Sequence, residues 1–212
     1  MNPKQIFYKT QAETIIQHLE KRRMKGYYCP TCADALKTAM SLTASGSTVS
    51  FGGSMTLMET GILDALKNRT DLHLIDRSLA RTPEEIKQAY RDSFHTDTYF
   101  LSTNAITMDG QLVNVDGNGN RVAALIYGPD QVIVVTGMNK VVSTVEDAVR
   151  RIKTIASPPN CIRLNRKTPC AATGTCADCL GDDCICSQTV ITRRSGIAGR
   201  IKVLLVGETL GY

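Results

Sequence analysis

The run Thr48-Val49-Ser50-Phe51 passes without a break into Gly52-Gly53-Ser54-Met55-Thr56, and an amphipathic segment follows at once. A short β-rich run, a glycine turn and a helix make one strand–turn–helix unit, which restricts this chain more than any other feature. The same alternation recurs along the chain, so the expected fold class is α/β, with an open sheet flanked by helices. In such folds the loop after a strand sits at the sheet's carboxyl edge, where ligands bind.

Tyr8, Ala12, Ile15, Ile16 and Leu19 predict a first helix over about 4–24, ended by Gly26. A second helix follows Cys32, with Ala35, Leu36, Ala39 and Met40 inward. Met55, Met58, Ile62 and Leu66 share the face of a third, and Leu72 to Ile75 reads as a strand. Thr82-Pro83-Glu84-Glu85 is a strong helix start, and Ile86, Ala89, Tyr90 and Phe94 form its expected inner face. Strands at Thr98–Ser102 and Gln111–Val115 flank the Asp109-Gly110 turn, and Gln131–Thr136 reads as a buried strand. A helix capped by Ser143 and Glu146, with Val145, Ala148, Val149, Ile152 and Ile155 inward, is expected to close at Pro158-Pro159. Residues 158–187 lose this periodicity, and strand-like runs return at Thr189–Ile191 and Ile201–Val206. That stretch reads as an insertion within one domain spanning 1–212.

A chain of 212 residues with 42% hydrophobic residues buries a full core, built from Val, Ile, Leu, Ala and Met since Trp is absent. The net charge of +5 gathers late, at Arg150, Arg151, Lys153, Arg163, Arg166 and Lys167, then Arg193, Arg194, Arg200 and Lys202. No aromatic residues interleave with these charges, which argues against nucleic acid as a partner. The N-terminus lacks an apolar signal core, and no run approaches the ~18 apolar residues of a membrane span. The expected location is the cytoplasm, with no membrane partner. Thiols there stay reduced, so the eight cysteines point to metal or redox chemistry rather than disulfides.

Three constellations carry chemistry. Gly52 and Gly53 let backbone approach a ligand, the following helix offers free N–H groups, and Ser54 and Thr56 add hydroxyls. The loop is neither a Walker loop nor a GxGxxG fingerprint. It reads as a cradle for an anionic small molecule, or as a tight turn. Glu59, one turn on, either faces that ligand or is a surface charge. The second constellation is Asn104 with Asp116, Gly117, Asn118, Gly119, Asn120 and Arg121, suited to a phosphate or carboxylate or else a polar turn. It is not a calcium loop, because Tyr127 stands where the bidentate Glu belongs. The third is Cys170, Cys176, Cys179 and Cys186, four thiolates fit for zinc or an iron–sulfur cluster, accompanied by Cys161 and Cys184. Cys29-Pro30-Thr31-Cys32 is a separate CxxC before a helix, where a lowered thiol pKa is expected. The histidines, His18, His73 and His95, have no obvious Ser or Cys partner, which disfavours a hydrolytic triad.

Phe51-Gly52-Gly53-Ser54-Met55-Thr56-Leu57, Ser102-Thr103-Asn104-Ala105-Ile106-Thr107, Asn114 to Ala123 and Val134-Val135-Thr136-Gly137-Met138-Asn139-Lys140 resemble, in order, the lactate-utilisation (LUD) domain proteins. Gly26-Tyr27-Tyr28-Cys29 and Ile201 to Tyr212 extend the resemblance over most of the chain. Thr168-Pro169-Cys170, Cys176, Cys179 and Cys186 resemble the cysteine module of the family's short, single-domain branch. The resemblance implies an open mixed sheet of the NagB/RpiA/CoA-transferase type and a link to oxidation of L-lactate to pyruvate. It also implies that the cysteines hold a 4Fe–4S cluster, as related subunits do. The chain is too short for the ferredoxin-like segments of the larger subunit, and no position matches the catalytic acid of CoA transferases.

The first expectation is therefore an oxidoreductase subunit. Ser54, Thr56, Asn104, Asn120, Arg121 and Lys140 would line its pocket, and its partners would be other lactate-oxidation subunits or a second copy. Two alternatives stand beside it. One is a non-redox transferase or hydrolase on a phosphorylated or CoA-like substrate with structural zinc, and the other is a small-molecule-binding regulatory protein.

Overall fold

A computed structural model of the chain describes residues 2–212. The elements follow in the order α1 (Pro3–Lys21), β1 (Lys25–Cys29), α2 (Cys32–Ser41), β2 (Thr48–Phe51), α3 (Met55–Glu59), α4 (Ile62–Asn68), β3 (His73–Ile75), α5 (Pro83–Asp92) and β4 (Thr98–Leu101). After these come β5 (Ala105–Thr107), β6 (Leu112–Asp116), α6 (Asn120–Ile126), β7 (Gln131–Gly137), β8 (Val141–Val142), α7 (Val145–Arg151), α8 (Ser157–Arg163), α9 (Pro169–Thr173), β9 (Gln188–Thr192) and β10 (Ile201–Val206).

The expected open α/β sheet is present. Six strands in the order β1-β10-β7-β4-β2-β3 pair in parallel throughout. The mixed pairing lies in a second sheet, β8-β5-β6-β9, that extends from the first. Both faces of the parallel sheet are covered, which is why residues 132–135 of β7 and 203–206 of β10 are continuous apolar runs. Val132, Val134, Val203 and Leu205 face a core completed by Ala12, Ile15 and Leu19 of α1. Ile133, Val135, Leu204 and Val206 face the opposite core, with Ala35 and Ala39 of α2 and Ile62 and Leu66 of α4. A smaller cluster, Ala105, Val113, Ala148 and Ile152, fastens α7 to the second sheet.

Several local expectations need correction. Gly26 lies within β1, and it is a glycine because a Cβ there would stand 2.6 Å from Ile16 Cγ1. The helix after the glycine loop is two helices, since Gly61 takes a left-handed φ of 72° between them and leaves Met58 55% exposed. The capping box of α5 forms as expected, yet none of that helix's residues is buried. Thr98–Leu101 and Leu112–Asp116 belong to different sheets, and the strand across the Asp109-Gly110 turn from β6 is β5. Thr144, not Ser143, caps α7 by accepting from the Asp147 N–H at 3.1 Å. Pro158 and Pro159 do not close that helix. A π-turn over Ile152–Ala156 carries the path on, and the prolines fall in the first turn of α8, where no N–H donor is required. The irregular part of 158–187 thus begins after Arg163.

Candidate functional site

The connections from β2 and β4 leave in opposite directions, toward β3 and toward β7, so the crevice between their carboxyl ends is the topological switch point of the sheet. Gly52-Gly53-Ser54 leaves β2 there, Ser102-Thr103-Asn104 leaves β4, and the turn Met138–Lys140 leaves neighbouring β7. A cavity of about 100 Å³ opens at this point. Its walls include Ser54, Ser102, Asn104 and Lys140 from these loops, Thr56 from the first turn of α3, and Asn160 and Arg163 from α8. The tail residues Gly211 and Tyr212 lie across it.

Lys140 is 4% exposed. Its Nζ donates to Thr56 Oγ1 at 2.9 Å and to Ser102 Oγ at 3.2 Å, and the Ser102 hydroxyl donates to Thr56 Oγ1 at 3.3 Å. Burial pushes the Lys140 pKa down from 10.5 to about 7, with the positive charges of Arg151 and Arg121 acting the same way against Glu59. Glu59 is exposed and accepts the Gly211 N–H at 2.7 Å, which ties the tail over the cavity. Asn139 holds the tail a second time, accepting from Leu210 N at 3.0 Å.

Arg121 reaches the cavity wall, but its nitrogens serve the protein. They donate to Ser102 O (3.0 Å), Asn114 Oδ1 (2.8 Å), Asn104 Oδ1 (3.2 Å) and Val115 O (2.7 Å), and Nε lies 3.5 Å from Asp116 Oδ2. Asp116 Oδ1 accepts from Asn118 N at 3.1 Å and Gly119 N at 3.0 Å, so the Asp116–Asn120 loop closes on itself. Gly52, Glu59 and the segment from Asp116 to Asn120 stand outside the cavity wall, while Gly53, Ser54, Thr56, Asn104, Arg121 and Lys140 are in it. Gly53 leaves room for Arg77, whose Nη2 would be 2.6 Å from a Cβ at that position.

All six cysteines between Cys161 and Cys186 line a second cavity of about 310 Å³, with Val115, Val149, Ile152, Leu180 and Ile185 as its apolar wall. Cys161 Sγ and Cys170 Sγ are 3.6 Å apart, and Cys186 Sγ donates to Ser157 Oγ at 3.4 Å. All eight cysteines of the chain are free thiols. Among the described residues no three His, Cys, Asp or Glu side chains stand close enough together to grip a metal ion. The six thiols nevertheless make a soft donor set around one cavity, beside the oxygens of Ser157, Thr168, Asp178 and Thr189. At the first CxxC the expected lowering does not occur. Burial together with Glu208 and Glu59 pushes the Cys32 thiol up to about 11.

Sequence reasoning did not single out Ser102, Asn160, Arg163, Arg77, Gly211, Cys161 or Cys184 as site residues. Ser102 opens the Ser102–Thr107 motif, Cys161 precedes the four expected ligands, and Cys184 lies between Cys179 and Cys186. Arg163 stands in the sequence only as one charge of the late basic run and Asn160 carries no local sign, because α8 reaches the cavity through tertiary packing alone.

A family model described as the LUD domain matches residues 12–206. Among solved structures the chain is similar to a DUF162 family protein from Deinococcus radiodurans, at 12% identity and a TM-score of 0.51, over 95% of this chain and 98% of that one. Weaker likenesses are to the delta subunit of eIF2B from Chaetomium thermophilum (17% identity, 66% and 54% covered, TM-score 0.36) and to ribose 5-phosphate isomerase A from Neisseria gonorrhoeae (12%, 55% and 57%, TM-score 0.34). None of the curated proteins compared matches the chain. Among the described residues no helix is long and apolar enough to cross a membrane.

Proposed function

The chain belongs to the LUD domain family, and we propose that it serves as a redox component of L-lactate oxidation. In this reading the Lys140 cavity binds a small carboxylate, and the cysteine cavity holds an iron–sulfur cluster. One observation carries it: the two cavities share a wall. Val115 lines both, and along one helical path Ala156, Asn160 and Arg163 face the first while Ser157 and Cys161 face the second. A ligand in one cavity is then separated from a group in the other by little more than a helix.

Each set of residues has a definable task. Asn160 and Arg163 offer an amide and a guanidinium to a carboxylate at the mouth. Thr56, Ser102 and Lys140 offer hydrogen bonds at the floor, and the Leu210–Tyr212 tail, held by Glu59 and Asn139, limits water entry. Cys170, Cys176, Cys179 and Cys186, with Cys161 and Cys184 beside them, would supply thiolates to the cluster, which when bound accepts and gives single electrons. A cavity of about 100 Å³ favours a three-carbon acid over a CoA thioester. Other subunits would deliver or remove the electrons.

Anaerobic purification followed by iron, sulfide and zinc analysis tests the assignment. Iron and sulfide with broad absorbance in the ~400 nm region are expected, and Cys179→Ser should lower both. Zinc without iron would sink the cluster reading, and an unchanged metal content in the variant would place the ligands elsewhere.

A further inference from the structure

The amine of Lys140 is held in a way that a simple anion site does not need. Two hydroxyls, those of Thr56 and Ser102, accept from Nζ at 2.9 and 3.2 Å. A neutral amine has two N–H donors and one lone pair, so both donors are matched and the lone pair is left for the cavity. An ammonium in the same place would keep a third N–H without a protein acceptor. The surroundings agree, because Lys140 and Thr56 are 4% and 1% exposed. Gly211 keeps the approach open: in its left-handed backbone (φ 54°) a Cβ would stand 3.3 Å from Nζ and 2.8 Å from Thr56 Oγ1.

Arg163 sits in the wall of the same cavity with Nε and Nη2 turned back to Asn160 Oδ1 at 3.1 and 2.7 Å, which leaves Nη1 for a ligand. The site therefore places a nucleophile and a carboxylate-binding group together around about 100 Å³. A molecule that uses both has a carbonyl carbon next to a carboxylate and few other atoms.

We propose that Lys140 is a catalytic nucleophile that forms an imine with small 2-oxo acids held through their carboxylate by Arg163. The inference rests on the reading that this cavity binds a small carboxylate. The lone pair of Nζ adds to the carbonyl carbon, and one amine proton passes to the former carbonyl oxygen to give a carbinolamine. The C–O bond then breaks, the second amine proton leaves with the hydroxyl as water, and the C=N bond forms. No electrons are gained or lost, so no oxidant or reductant is required. Thr56 and Ser102, bonded to Nζ and to each other, are placed to pass those protons between nitrogen and oxygen. With its pKa down at about 7, a large share of Lys140 is already the free amine at neutral pH.

The test incubates the full chain with pyruvate and sodium borohydride, which reduces an imine to a stable secondary amine, and then maps the modified peptide by mass spectrometry. Binding of pyruvate and of L-lactate, which has no ketone, is measured in parallel by calorimetry. The expected result is one adduct on Lys140, absent from Lys140→Arg and formed at least tenfold more slowly, at saturating pyruvate, by a Thr56→Val/Ser102→Ala double variant. Pyruvate binding without an adduct at Lys140, or an adduct that survives Lys140→Arg, overturns the imine and leaves the carboxylate site standing. Failure of both acids to bind overturns the site itself and the imine with it.

Discussion

Replacing Lys140 with methionine should remove a pH dependence of stability that the buried amine creates. The folded protein holds the Lys140 proton only up to about pH 7, whereas the unfolded chain holds it to 10.5. Between these values the unfolded state binds more protons, so this residue makes stability rise with pH, with a slope approaching about 1.4 kcal/mol per pH unit. At pH 7 the folded amine is half titrated, which lowers the first part of the rise. Integrated from pH 7 to 9, the contribution comes to about 2 kcal/mol. Methionine fills a similar volume, carries no charge, and leaves the Ser102–Thr56 hydrogen bond in place. The assay is urea unfolding of both proteins at pH 7 and pH 9, followed by far-ultraviolet circular dichroism. Other groups titrate in this range, among them thiols raised by burial, but they are common to both proteins and cancel in the difference. The wild type should gain about 2 kcal/mol over Lys140→Met between the two pH values. Parallel pH profiles would refute the reasoning, because they would mean that the folded amine titrates like an exposed lysine.

Arg121→Ala should cost about 3 kcal/mol or more, since four protein oxygens and the Asp116 carboxylate lose their donor together; a urea midpoint equal to wild type would show that the side chain is not structural. Gly128→Ala should destabilise by about 2 kcal/mol or more, because φ is 113° and the new Cβ would stand 2.7 Å from Phe94 O. A thermal midpoint within a degree or so of wild type would contradict that. Cys161→Ser should lower the bound metal by at least half if the thiol 3.6 Å from Cys170 belongs to the same centre; full metal content would confine the ligands to the later cysteines.

Legibility in the sequence followed the range of the forces involved. The strand before Gly52 and the capping box at Thr82 are local devices, and both occur where the sequence places them. β1 was hidden because its five residues, Lys-Gly-Tyr-Tyr-Cys, include a glycine that resembles a helix stop. In the fold that glycine admits Ile16 and Leu19 of α1 against the strand. The prolines at 158 and 159 depart from the sequence expectation for a related reason: their local meaning is a break, and the π-turn before them absorbs it. In the site, Asn104 and Lys140 come from loops, and Thr56 from a helix start, at one sheet edge, which alternation of strands and helices foretells. Arg121 looked like a free guanidinium in a polar loop. Its acceptors are carbonyls and amides of residues 102–116, and no spacing rule reveals that a charge will be used up internally.

Lactate binding and imine formation make different demands on the same amine, and pH separates them. A carboxylate on Arg163 does not draw on the Lys140 proton, so lactate affinity should vary little from pH 6 to 9 while the rate of borohydride trapping with pyruvate rises through pH 7 and levels off. A carboxylate seated directly on Nζ would instead require the ammonium. It would raise the Lys140 pKa on binding, and by linkage affinity would fall up to tenfold per pH unit above about 7. Lactate affinity measured by calorimetry in buffers of differing ionisation enthalpy, at pH 6, 7.5 and 9, gives both the pH slope and the protons taken up. A flat profile with no proton uptake agrees with the Arg163 arrangement. A steep loss of affinity with uptake of a proton per bound lactate would put the carboxylate on Lys140, remove the lone pair from the cavity, and leave Arg163 as a surface residue at its mouth.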